Sequence, residues 1–157
     1  SERRGVGQKL MYSAIVATHL IAATIWTGGH IVLFFAVLLP ALKHRDSARI
    51  TAFEEHFEKV GIPALLTLVA TGLYMAYRQL PDLSAWFTFS SVVSRTVTIK
   101  LSLLLLTVLF ALHARLKIIP KLNEKSLNSL AVHITFVTLI AILFALTGVL
   151  HRFGGIW

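Results

Sequence analysis

Histidine recurs where this chain is most apolar: His19 and His30 in a first long hydrophobic stretch, His113 in a third, His133 and His151 in a fourth. An ionisable side chain at membrane depth is costly, so it usually faces a bundle interior and marks a cofactor, an ion path or a proton relay. A helix advances about 100° per residue, which puts His19, Trp26 and His30 on one face with the two histidines about 16 Å apart along the axis. By the same arithmetic His133, Ile140, Phe144 and His151 share a face, with histidines about 27 Å apart, and Arg95, Ser102, Leu106 and His113 align on the third stretch. Lys100 points away from His113. His44 lies in a basic connection and reads as solvent-exposed, and His56, beside Glu55, reads equally as a surface residue or a ligand.

The elements that must position these side chains are membrane helices. Of the 157 residues 56% are hydrophobic and only 14% charged, with a mean hydropathy of +0.77, far from the quarter charged that a soluble domain carries. The fold class is therefore all-α: one transmembrane domain over 1–157, an integral membrane four-helix up-and-down bundle with spans at about 10–39, 60–77, 92–118 and 127–151. Pro40 is expected to stop the first span, Arg78 and Pro81-Asp82 the second, Pro120 the third, and Gly154-Gly155 releases the tail. Ahead of the second span, Ile50, Phe53, Phe57 and Val60 recur opposite Glu54, Glu55, Glu58 and Lys59, the pattern of an interfacial amphipathic segment that Asp46 or Ser47 can cap. Trp86, Phe87 and Phe89 read as an interfacial aromatic belt.

Composition also excludes. The absence of cysteine removes disulfides, thiolate metal sites, iron–sulfur clusters and covalent c-type haem. With two methionines, Met11 and Met75, a methionine-rich copper path is poorly supported. The net charge of +8 comes from short clusters beside the spans, so it speaks for topology and not for nucleic acid. Lys43, Arg45, Arg49, Lys59, Arg115, Lys117, Lys121 and Lys125 fall on the side of the first and third connections, and Arg3, Arg4, Lys9, Arg78, Arg95 and Arg152 on the other. The balance places both termini outside the cytoplasm. The chain opens on Ser1 with no apolar h-region in residues 1–9, as a processed or trimmed start does.

Antiparallel threading sorts the candidates into two clusters, His30, His56, His113 and His133 toward the first and third connections, His19, Lys100, Arg95 and His151 toward the termini. Each offers enough nitrogen for a six-coordinate site. A flat macrocycle between helices is a natural occupant. His19 with His151 or Lys100 would hold one haem b, and His30 with His113 or His133 a second. Trp26 would pack between the levels, Gly28, Gly29, Gly72 and Gly148 would let a ring approach the backbone, and Arg95 or Arg152 could pair with carboxylates at a membrane face. Bis-histidine ligation points to a membrane cytochrome that carries electrons between a quinol or similar donor and a redox partner. Three rivals stand beside it: a haem-dependent membrane oxidoreductase, a copper transporter in which the histidines pass the ion, and a structural subunit of a larger membrane complex or homo-oligomer.

The run from His19 through Trp26-Thr-Gly28-Gly29, followed by Phe53 to Gly72 and by Lys100-Leu101 with His113, resembles the CopD-like membrane superfamily, which includes copper-resistance D domains and the HemJ protoporphyrinogen oxidases. The resemblance spans about Tyr12 to Leu150 and implies an integral protein of the bacterial cytoplasmic (inner) membrane. Its HemJ branch implies haem b with His19 and Lys100 as the contacts, and its copper-resistance branch implies movement of copper. The chain departs from the HemJ pattern after the tryptophan, where Gly28-Gly29 and His30 stand in place of Ala-Gly and a Leu-Pro-Arg segment.

Overall fold

Four helices long and apolar enough to cross a bilayer build the chain in a computed structural model that describes residues 2–121 and 126–154. They comprise residues Arg3–His44, Ser47–Gln79, Val92–Ile118 and Leu127–Arg152. The expected up-and-down bundle is what forms. In lipid every main-chain polar group must be bonded internally, which leaves helices as the answer for such a chain. Threonine obeys the same rule: Thr67, Thr107, Thr138 and Thr147 return their hydroxyls to the carbonyl four residues back.

The first span corrects the expectation at Pro40. Helix α1 (Glu2–Val32) passes through a wide π turn, Leu33–Leu38, into α2 (Leu39–His44), with Pro40 in the first turn of α2. The Leu39 N–H bonds Phe34 O, five residues back. The wider turn leaves room for a ring that has no N–H to donate, so the proline continues the span. The chain turns instead at Arg45, whose φ of 56° is left-handed, and its guanidinium reaches Asn128 Oδ1 at 3.2 Å.

Helix α3 (Ser47–Gln79) begins as expected at Asp46, whose carboxylate accepts from the Arg49 N–H at 3.3 Å. The amphipathic segment runs into the second span without a break, past Pro63. Its Glu58 forms an ion pair with Arg115, tying α3 to the end of the third span. The connection after α3 folds over a 3-10 turn, Leu83–Phe87. Phe87 and Phe89 face outward as belt residues do, whereas Trp86 turns inward and donates its indole N–H to Leu80 O at 2.8 Å. Asp82 caps that turn, and the Ser84 hydroxyl and N–H hold its carboxyl below the usual carboxylate range.

Helix α4 (Val92–His113) continues through a second π turn, Ala114–Ile118, where Ile119 N–H bonds Ala114 O just ahead of Pro120. Helix α5 (Leu127–Arg152) closes the bundle. Of the residues weighed for topology and for the tail, Lys125 and Gly155 lie outside the described residues, as does the side chain of Lys121.

Packing is uneven. Helix α1 lies along α3 and α5, and α4 lies along α5, but α3 and α4 barely touch. At the end nearest the first and third connections, Leu38, Ala41, Ile50, Leu127 and Leu130 form a closed core. Toward the termini the bundle opens.

Candidate cofactor cleft

Where α3 and α4 part, they leave a cleft open on one side, with α1 and α5 behind it. Its wall is mostly aliphatic, and its polar groups include His19 from α1, Lys100 from α4 and His151 from α5. Trp26 and Trp86 also face it. A large apolar space with a few convergent polar groups is the ordinary form of a small-molecule site.

The hydrogen bonds decide which nitrogen is available. The Thr71 hydroxyl donates its one proton to Thr67 O at 2.6 Å. Its 2.7 Å contact with His19 Nδ1 therefore has the imidazole Nδ1–H as donor. That fixes the tautomer, and His19 Nε2 keeps an unshared lone pair. Orientation of a ligating imidazole through its other nitrogen is what metal sites require. Gly72 makes the approach possible: a Cβ there would lie 3.3 Å from His19 Cε1.

His151 is held differently. Its Nε2–H donates to Gln79 Oε1 at 3.0 Å, and its Nδ1 accepts from the Thr96 hydroxyl at 3.1 Å. Both nitrogens are engaged, so His151 links α5 to α3 and α4 across the gap and becomes a ligand only if Gln79 lets go. Lys100 extends past Gly148, where a Cβ would lie 3.5 Å from Nζ, and lines the same cleft as His19 and His151. Among the described residues the one ion pair is Arg115 with Glu58, so Lys100 has no carboxylate partner there. Its amine can meet either a metal or an anionic group on an occupant.

The other candidates do not line this cleft. His30 is buried, donates Nδ1–H to Trp26 O at 2.8 Å, and packs with ring centroids 4.4 Å from Trp26 and 5.6 Å from Phe57. His113 and His133 meet each other at 2.7 Å on the outer side of α4 and α5. The pairing of His30 with either is thus not what the helices bring together, because α1 presents His30 to the aromatic rings of α3. Gly29 accommodates Phe57 as well: a Cβ there would collide with that ring, as one at Gly61 would crowd it. Gly28 faces open space. Arg95 reaches Phe89 O at 3.4 Å, while its Nε is buried without a partner. His44 and His56 are exposed, with His56 bonded to Ala52 O.

Thr71, Thr96 and Gln79 were not among the residues the sequence singled out. Thr96 stands one turn before Lys100 on the same helix face, a signal that was available; the roles of Thr71 and Gln79 depend on which helices are neighbours. Among the described residues no group of three or more His, Cys, Asp or Glu side chains is fit to hold a metal ion. The family described as copper resistance protein D matches residues 51–150. The chain belongs to the CopD family. The CopD match covers most of α3, all of α4 and most of α5, with Thr71, Gln79, Thr96 and Lys100, and leaves out α1 and the end of α5, so His19, Trp26 and His151 lie outside it. No curated protein and no solved structure matches the chain.

Proposed function

We propose that this CopD-family chain is a membrane redox protein whose cleft takes one haem b, which His19 Nε2 would hold together with the Lys100 amine or His151. The observation that carries the reading is the bare His19 Nε2, oriented through Thr71, at the wall of an apolar cleft. The residues fit such a group: a macrocycle brings nitrogen donors of its own, so the protein would need to supply only one or two, and a three-donor cluster is not required. When bound, haem supplies a one-electron couple. His19 would fix the ring's position, Gly72 and Gly148 would leave space beside the two nitrogen donors, and Trp26 and Trp86 would exclude water. The parting of α3 and α4 supports access for a lipid-soluble donor of quinol type from within the bilayer.

A second reading, copper as cargo, is favoured by the family match. Here His19 would be a way station for the ion, and the cleft a passage. One experiment separates the two: absorption spectra of the purified protein, oxidised and dithionite-reduced, with haemochrome and copper quantification, on the native chain and on His19→Ala. The first reading expects a Soret band that His19→Ala abolishes or shifts. Copper without a Soret band selects the second reading, and a colourless, copper-free protein overturns both.

A further inference from the structure

His113 and His133 form a site of their own, away from the cleft. Their Nδ1 and Nε2 atoms are 2.7 Å apart, their ring centroids 4.8 Å apart, and their planes differ by 15°. Rings stacked face to face cannot bring two nitrogens that close. The centroid separation exceeds the nitrogen separation by about two ring radii, so the imidazoles are nearly coplanar and meet edge to edge, each in-plane nitrogen axis directed at the other ring. His133 Nδ1–H donates to Ser129 O at 2.9 Å, which leaves Nε2 with its lone pair aimed at His113. Phe110 supports His133 at its edge, 5.4 Å between centroids and 76° between planes. A single proton now lies on the axis between two nitrogens.

We propose that a monovalent d10 cation, Cu(I), replaces that proton and is held in two-coordinate fashion between His113 Nδ1 and His133 Nε2. Imidazole suits copper, and a linear arrangement needs two donors, which is what this pair offers among described residues that contain no three-donor group. The tautomer change is small: His113 moves its proton to Nε2 and presents Nδ1. At about 2 Å per metal–imidazole bond the nitrogens must part to about 4 Å, and His113, exposed at the end of α4, has freedom to rotate. The neighbouring Arg115 charge is offset by Glu58. Zn(II), which asks for four ligands, gains little here. The site stands toward the end of the bundle nearest the first and third connections, beside the closed core and apart from the cleft, within the spans Val92–Ile118 and Leu127–Arg152.

The test is anaerobic Cu(I) titration of the detergent-solubilised protein against a chromophoric Cu(I) chelator, with the same titration on His113→Ala, His133→Ala, His113→Phe and His19→Ala. Each of the first three is expected to lose one equivalent or to bind it about tenfold or more weakly, with helical circular dichroism retained, while His19→Ala keeps it and excess Zn(II) fails to displace it. X-ray absorption of the one-equivalent complex is expected to report two nitrogen neighbours. No Cu(I) bound by the native protein, equal binding by the His113 and His133 variants, or loss of this same equivalent in His19→Ala overturns the proposal. Failure here leaves the haem reading of the cleft to its own spectrum.

Discussion

The two ends of this bundle treat similar residues in opposite ways. At the closed end Leu38, Ile50, Leu127 and Leu130 interlock, and the imidazoles there find partners close by: His30 its own helix's carbonyl, His133 both a carbonyl and His113. At the open end α3 and α4 stand apart, and His19 is oriented through one nitrogen with the other left bare. Lipid offers no hydrophobic drive to shut such a gap, since tails are as apolar as leucine; helices meet where side chains interlock or bond, and part where they do not. A histidine's chemistry in this protein is therefore set by how well its helices pack around it.

The sharpest way to break the contrast is to fill the gap. Gly72→Phe forces a ring against His19, displaces it from Thr71 and is expected to abolish occupancy of the cleft, read as loss of the bound chromophore. The converse change opens the closed end: Leu130, 2% exposed, truncated to Ala is expected to cost about 2–5 kcal/mol, seen as a lower unfolding temperature with an unchanged chromophore spectrum. A spectrum that moves with Leu130→Ala would show the two ends to be coupled. The smallest effect tests the link across the gap. Gln79→Ala removes the acceptor from His151 Nε2 and is expected to cost about 1 kcal/mol, with a shifted spectrum as the freed imidazole becomes available to the occupant.

Much of this was legible in the chain. Four spans follow from hydropathy, Asp46 from its capping position, and the His19–Trp26–His30 stripe from helical spacing, all of which depend on one helix at a time. The assignment of partners was not legible. Spacing puts His30 at the right depth to meet His113 or His133, but only the packed bundle shows α1 handing it to Trp26 and Phe57. Pro40 misled because a proline ends a regular α-helix, and nothing local announces that the preceding turn will widen to accept it. The cleft was hidden for the same reason as Thr71's role: both depend on the neighbours of α3, which the sequence of α3 does not specify.

The two wide turns, Leu33–Leu38 ahead of Pro40 and Ala114–Ile118 ahead of Pro120, give the fold a tolerance it has nowhere else along its spans. Each holds about one residue more than regular pitch demands, so losing a single amino acid within it would restore ordinary winding and leave the stripes on either side facing their present neighbours. The same deletion midway along α5 would rotate everything downstream by about 100° and carry His151 away from Gln79. Length changes during the divergence of such chains should accordingly accumulate at these two points, ahead of the prolines, and spare the stretches that carry His19, Lys100 and His151.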